Sequence, residues 1–192
     1  MDMDPELCCD AELSIRRMRD DDLGLFVRWR NEPHVAEWWD TDDEQRITLE
    51  DASAKYGPRV QAASSTTSCV IEVHHRPAGY IQFYPWSSSV DEVRAMGLEI
   101  RAGAFGIDVF LGDAQLLDRG IGSRAVALLS AYLFRERAAD QIAITTSVDN
   151  LRAQHAYRKA GFHTVGRVLD TDIRGGERVP SYLMTKEPPD LR

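Results

Sequence analysis

The sequence has no apolar run that approaches the ~18 consecutive residues marking a membrane-spanning helix. Its first residues, MDMDPELCCDAEL, are acidic and lack an apolar core, so they do not read as a secretory signal. There is no internal repeat and no low-complexity tract. Cysteine is scarce: Cys8, Cys9 and Cys69 form an odd set of 3, two of them adjacent, which argues against a disulfide framework or a zinc site. The 5 histidines show neither H-x-E nor H-x-x-x-H spacing, so no metal is expected. Basic charge is also short, with 23 Lys and Arg against 31 Asp and Glu and a net charge of −8. With no local basic patch, this balance disfavours nucleic acid. It suits a small cationic partner, although many cytoplasmic proteins are acidic for no such purpose. A cytoplasmic protein is expected, monomeric or weakly dimeric, with no membrane partner.

What is present is an ordinary globular composition, 43% apolar and 28% charged over 192 residues. That length is ample for one domain and short for two. Residues 1–11 read as a flexible leader and 12–188 as a single domain. ELSIRRM alternates as a first strand. DDDLGLFVRWRN places acids ahead of a helical spacing of Leu23, Phe26, Val27 and Arg30, and Pro33 then opens another helix. Thr48 and Asp51 form a variant capping box, and Gly57-Pro58 is expected to break or kink the helix that follows. TSCVIEV and AGYIQFY are strands joined through the hairpin HHRPAG. PWSSSVDEVRAMG reads as a long polar surface loop. GIDVFLG and QIAITTSV are strands, with a helix from about residue 120 to 134 between them. NLRAQHAYRKAG is a helix closed by Gly161 behind a basic last turn. FHTVGRVL and VPSYLMTK are the closing strands. The sum is an α/β (α+β) domain, a mixed sheet with helices packed on it.

Two stretches carry the chemistry. DRGIGS joins a strand to a helix, whose first N–H groups have no internal partner and whose start is partially positive. Glycines let a ligand approach such a backbone, and phosphate is the anion it suits. Taken alone, the turn fits either an anion site or an ordinary strand–helix junction. It lacks the Lys-Ser/Thr of a nucleotide-triphosphate loop and the third glycine of a dinucleotide fingerprint. The second stretch, DNLRAQHAYRKAGF, sets Asn150 and Tyr157 seven residues apart, close to two helical turns and so on one face. A phenol there can either protonate a thiolate leaving group or simply pack its ring in the core.

Together the two stretches resemble the GNAT superfamily of N-acetyltransferases. The phosphate turn of that family has the form Q/R-x-x-G-x-G/A and maps to Leu117-Asp118-Arg119-Gly120-Ile121-Gly122, with Leu117 departing from the usual Gln or Arg. The N-x-x-A…Y-x-K-x-GF pattern maps to Asn150, Tyr157, Lys159, Gly161 and Phe162. The resemblance runs from about Leu13 to Met184. It implies a central, mostly antiparallel sheet splayed at its middle strands, with helices on both faces. It implies acetyl-coenzyme A as co-substrate, its pyrophosphate on the amides of Arg119, Gly120, Ile121, Gly122 and Ser123. Its pantetheine arm would lie along Asp108–Leu111, contacting Val109, Phe110 and Leu111, with Asn150 nearby.

HVAEWW after WRNEP, GYIQFY and GIDVFLGDAQLLDRGIGS resemble, more narrowly, the bacterial aminoglycoside 6′-N-acetyltransferases, enzymes of antibiotic resistance. This implies Asp108 as catalytic base, Trp39 on the antibiotic pocket, and Asp91, with Glu92 beside it, as a drug contact. A further acidic contact falls near Glu177, and another position is Thr145, which has no carboxylate. Glu99, Asp170 and Asp172 are additional acids suited to a polycation. One of Trp38 and Trp39 is expected in the core and the other on a groove.

The expected reaction is direct attack of an amine on the thioester in a ternary complex. Asp108, among apolar neighbours, has its pKa raised toward neutrality and takes the ammonium proton directly or through one water. Free N–H groups around Val109–Leu111 face the acyl oxygen, and Tyr157 protonates the departing thiolate. An acyl-enzyme on Cys69 is not indicated. The rival readings are a siderophore-biosynthesis acyltransferase acting on a hydroxylysine-like amine, a non-catalytic acetyl-coenzyme A sensor, and a protein N-terminal acetyltransferase.

Overall fold

A computed structural model describes residues 6–39, 46–86, 93–94, 97–171 and 178–189. Along the chain come β1 (Cys8–Cys9), β2 (Leu13–Arg17), α1 (Leu23–Arg30), α2 (Pro33–Ala36) and α3 (Leu49–Val60). There follow β3 (Thr67–Val73), β4 (Arg76–Pro85), β5 (Ala104–Leu111) and α4 (Ile121–Glu136). The chain closes with β6 (Gln141–Ser147), α5 (Leu151–Lys159), β7 (His163–Thr171) and β8 (Arg178–Lys186). The strands form one 8-stranded sheet in the order β1-β2-β3-β4-β5-β6-β8-β7. Every neighbouring pair is antiparallel except β5–β6.

Period-two alternation in the strands divides the side chains between two layers. Ile15, Cys69, Ile71, Ile81, Phe83 and Ile107 pack on one face against Ala125, Val126, Leu129 and Leu133 of α4. Val70, Tyr80 and Phe110 pack on the other against Phe26, Trp29 and Tyr56 from α1 and α3. That second layer is aromatic, with Phe26 and Tyr56 centroids 4.3 Å apart and Tyr80 stacked on Phe110 at 5.4 Å. Such pairs add about 0.5–1.5 kcal/mol each beyond the area they bury.

Local chemistry explains several ends. Thr48 caps α3 by accepting from the Asp51 N–H, and Asp51 returns a bond to the Thr48 N–H. The hairpin between β3 and β4 turns on His74 and His75, both in the left-handed region at φ 50 and 60.

Three expectations are corrected. Pro58 does not break α3, which continues to Val60. The proline lies near the helix end, and bonds from Gln61 to Gly57 and from Ala63 to Pro58 carry the last turn past it. The stretch expected as a surface loop is not wholly one: Trp86 and Val93 within it, and Ile100 just beyond it, are buried with Ala104, Ala143, Val168 and Leu183 in a third apolar cluster. The four apolar anchors here, Leu98 included, were masked in the sequence by the surrounding serines and acids. The helix expected from about residue 120 to 134 is present as Ile121–Glu136, with Gly120 as its N-cap. Finally, Cys8 and Cys9 pair with Ile15 and Ser14, so the sheet begins inside the segment expected to be a leader.

Candidate active site

The site originates in how little β5 and β6 pair. Their parallel register covers only Ala104–Gly106 against Gln141–Ala143. Beyond it β5 stays bound to β4 as far as Gly79 and Leu111, while β6 follows β8. The sheet therefore splays between Ile107–Leu111 and Ile144–Ser147. The Gly112 N–H donates to Ala78. Antiparallel alternation then turns the main chain of Val109 and Leu111 away from β4, into the opening. His34 on α2 bonds the Leu111 carbonyl through Nε2 at 3.0 Å, tying that helix to the end of the strand.

A cleft of 1100 Å³ fills the opening, more than the ~300–1,000 Å³ of a pocket for one drug-sized ligand. One end is the start of α4. Gly120 is the N-cap at φ 76, a conformation that costs most residues about 1–2 kcal/mol. Among the described residues no side chain caps the helix. The Gly120 carbonyl accepts from the Arg124 N–H and from the Ser123 hydroxyl. That leaves the first-turn N–H groups of Ile121, Gly122 and Ser123 for an external acceptor. The Lys159 ammonium lies 3.4 Å from where a Gly120 side chain would begin, so a cation joins the turn from α5. Gly120, Ile121, Gly122 and Ser123 line the cleft, and the exposed Arg119 does not.

Asn150 caps α5, its Oδ1 accepting from the Ala153 N–H at 3.0 Å. Both Asn150 and Tyr157 border the cleft. The buried Tyr157 ring packs toward Phe162 with centroids 6.1 Å apart, and among the described residues its hydroxyl has no hydrogen-bond partner. Desolvation, with the charge of Asp108 behind it, pushes this phenol above its ordinary value, so it holds its proton at neutral pH.

Asp108 sits opposite Gln82 in the β4–β5 register. Gln82 Nε2 donates to its Oδ2 at 2.6 Å, and the Tyr84 hydroxyl donates to Oδ1 at a longer 3.4 Å. Tyr84 can lie across the strand because residue 106 is glycine: a Cβ there would be 2.4 Å from its ring. Desolvation raises the Asp108 carboxyl above the usual range, partly offset by the bonds from Gln82 and Tyr84; Asp170 raises it further and Arg59 lowers it. The half-buried Asp108 is thus a carboxylate poised to accept a proton.

The opposite wall is assembled from distant residues. Trp39 lies edge-on to Phe110 at 4.9 Å and to Tyr80 at 5.7 Å, with its indole N–H 3.4 Å from the Tyr56 hydroxyl. Trp38 borders the cleft too, so both tryptophans face it. They follow the short α2 in a turn, where adjacent side chains need not diverge. Glu37, Asp170, Tyr56, Arg59, Gln82 and Tyr84 complete this wall. Of the expected acids, Asp170 reaches the cleft and the exposed Glu99 does not, while Asp91, Glu92, Asp172 and Glu177 lie outside the described residues. Gln82, Tyr84, Tyr56 and Arg59 were given no role from sequence. A signal existed for two of them, because Tyr80, Gln82 and Tyr84 alternate and so share one strand face. Cys69 is fully buried, with its thiol pushed up to about 12 by desolvation, and lies outside the cleft. It is no nucleophile.

Comparison with known proteins fits this geometry. The acetyltransferase (GNAT) domain family matches residues 19–169. The chain is 35% identical over 160 residues to aminoglycoside N(6′)-acetyltransferase type 1 of Klebsiella pneumoniae, covering 83% of this chain and 78% of that protein. The Serratia marcescens protein of the same name matches equally. Among solved structures, aminoglycoside acetyltransferase AAC(6′)-Ib in complex with coenzyme A and kanamycin superposes with a TM-score of 0.74 at 31% identity, over 91% of this chain and 94% of that one. The uncapped helix start and the unpaired edge of β5 fit a coenzyme A thioester, one offering amides to a pyrophosphate and the other backbone groups to an extended amide arm. With the splayed sheet, the free helix start and these relatives in agreement, the chain belongs to the GNAT acetyltransferases and is an acetyl-coenzyme A-dependent N-acetyltransferase.

Proposed function

We propose that the protein acetylates the 6′-amine of aminoglycoside antibiotics and so confers resistance to them. The observation that carries this reading is Asp108, a carboxylate with a raised proton affinity, in one cleft with the protonated Tyr157. The names of the relatives, aminoglycoside N(6′)-acetyltransferases and a kanamycin complex, agree with it. Acetyl-coenzyme A supplies the acetyl thioester. The amides of Gly120–Ser123 hold its pyrophosphate, aided by Lys159, and the outward main chain of Val109 with the Leu111 N–H offers the free strand edge to its pantetheine arm, which the Phe110 side chain borders. Asn150 steadies that arm from the α5 N-terminus.

The acceptor enters against Trp39, with Asp108 and Asp170 drawing its ammonium groups inward. Asp91, Glu92 and Glu177 are further contacts in this reading. Asp108 takes one proton from the 6′-ammonium and passes it to solvent; the freed amine attacks the thioester carbon directly, and as the C–S bond breaks the second proton leaves the nitrogen for solvent. Tyr157 gives its proton to the departing sulfur and regains one from solvent. A proton transfer by a positioned side chain contributes about 10²–10⁴-fold to rate.

The test is thiol release from acetyl-coenzyme A with kanamycin, tobramycin, an N6-hydroxylysine and a peptide amine. Turnover with the antibiotics, and acetylation mapped to the 6′ nitrogen, is the expected result. Turnover with the hydroxylysine alone would replace the reading by siderophore chemistry. Tight coenzyme binding without any turnover would make the protein a sensor.

A further inference from the structure

Arg59 breaks the pattern of the acceptor wall. The cleft gathers Glu37, Asp108 and Asp170 around a site read as taking a polycation, yet a guanidinium lines the same wall. It is held from two sides. It lies over the Tyr56 ring at 4.7 Å from the centroid, and Nη1 donates to Gln82 Oε1 at 2.7 Å. The Tyr80 hydroxyl, itself bonded to Ser68, donates to that same oxygen at 2.7 Å. The Gln82 amide is thereby oriented: its oxygen meets two donors and its nitrogen meets Asp108. Arg59 is therefore one side chain away from Asp108 and cannot swing onto it without abandoning Gln82. Among the described residues no carboxylate forms an ion pair with it.

A guanidinium has about five N–H donors in a rigid fork and accepts nothing. The Gln82 bond accounts for one donor at Nη1. In a half-buried wall the others favour an oxygen on the ligand, and the fixed positive charge opposes an ammonium. We propose that Arg59 is a specificity-determining residue of the acceptor site, donating to a hydroxyl or carboxylate oxygen of the substrate and rejecting an amine at the same position. The proposal rests on the aminoglycoside reading and narrows it to members that present an oxygen there.

Kanamycin A and kanamycin B supply the test. They differ by a hydroxyl or an amine at the 2′ position of the ring that also bears the 6′-amine, about one sugar ring away from the reacting nitrogen. In this proposal that group is the one Arg59 meets, since Gln82 alone links Arg59 to Asp108. Steady-state kinetics should give kanamycin A a kcat/KM about tenfold above kanamycin B, expressed in KM, the scale of one partly screened charge contact. Arg59→Met should bring the pair within about twofold of each other, chiefly by improving kanamycin B, and Arg59→Lys should keep the preference. Equal use of both antibiotics by the unaltered protein, or a preference surviving in Arg59→Met, would overturn the proposal while leaving the function in place. Failure of both antibiotics alongside turnover of another amine would remove the function, and this inference with it. The comparison in the unaltered protein needs no variant to fold.

Discussion

The two walls of the cleft are assembled in different ways. The wall assigned to the coenzyme comes from residues 109–123 and 150–159, two short stretches in which neighbours in sequence remain neighbours in space. Its working parts are largely main chain: the open edge of β5 and the first amides of α4. The wall assigned to the acceptor draws Trp39, Tyr56, Arg59, Gln82, Tyr84 and Asp170 from the α2 exit, α3, β4 and β7. Its working parts are side chains, held by a hydrogen-bond chain from Ser68 through Tyr80 and Gln82 to Asp108. A backbone site tolerates exchange of most side chains around it. A side-chain site changes with each substitution, so the first wall suits a constant co-substrate and the second a variable acceptor.

Substitutions at each wall should separate binding from chemistry. Asp108→Asn should lower kcat by about 10²-fold or more with coenzyme affinity little changed, measured by calorimetry beside steady-state rates. The unaltered enzyme should gain activity as pH rises through the raised Asp108 value, and the variant should lose that limb of the profile. Stability should move the other way. A carboxyl whose folded value is raised stabilises the fold below its unfolded value of about 3.9 and loses that contribution as pH climbs through the folded value. The Asn variant should therefore melt at or above the unaltered protein at pH 7, with the gap narrowing towards about pH 4. A lower melting temperature would assign Asp108 a structural task.

On the other wall, Gly122→Asp should weaken coenzyme binding about tenfold or more by placing a carboxylate among the pyrophosphate amides. Among the described residues no heavy atom lies within 4 Å of a Cβ added there, and an acid in a first helical turn adds about 0.3–1 kcal/mol of stability. Weaker binding with an unchanged or raised melting temperature is the expected signature, and unchanged binding would move the phosphate elsewhere. Tyr157→Phe should lower kcat about tenfold, a modest loss because a thiolate with pKa near 8.5 leaves readily; stopped-flow thiol release would show it. Gly106→Ala should have the smallest effect on chemistry, about two- to threefold in kcat, through the Tyr84 ring it displaces. A stability loss of about 1–3 kcal/mol in a denaturant titration should accompany it.

The same contrast separates what was legible from what was not. The glycine turn, the Asn150–Tyr157 spacing and the Thr48 cap are local patterns, and the helices and strands form around them. Gly57-Pro58 misled because a proline close to a helix end removes one bond without ending the turn. The buried anchors of the 86–100 segment were hidden because their partners, Ala143, Val168 and Leu183, lie far along the chain. The environment of Asp108 was only half visible: its apolar neighbours were adjacent in sequence, but Gln82, Tyr84 and Arg59 were not.

By itself, the sequence determined the element order from β2 onward and the free amides at the start of α4, because each follows from backbone propensity or a fixed period. Tertiary structure alone decided that β5 leaves β6 after Gly106, that Gln82 bonds Asp108, and that a guanidinium lines the cleft. Those depend on strand register and on contacts between residues dozens of positions apart, which no local pattern encodes.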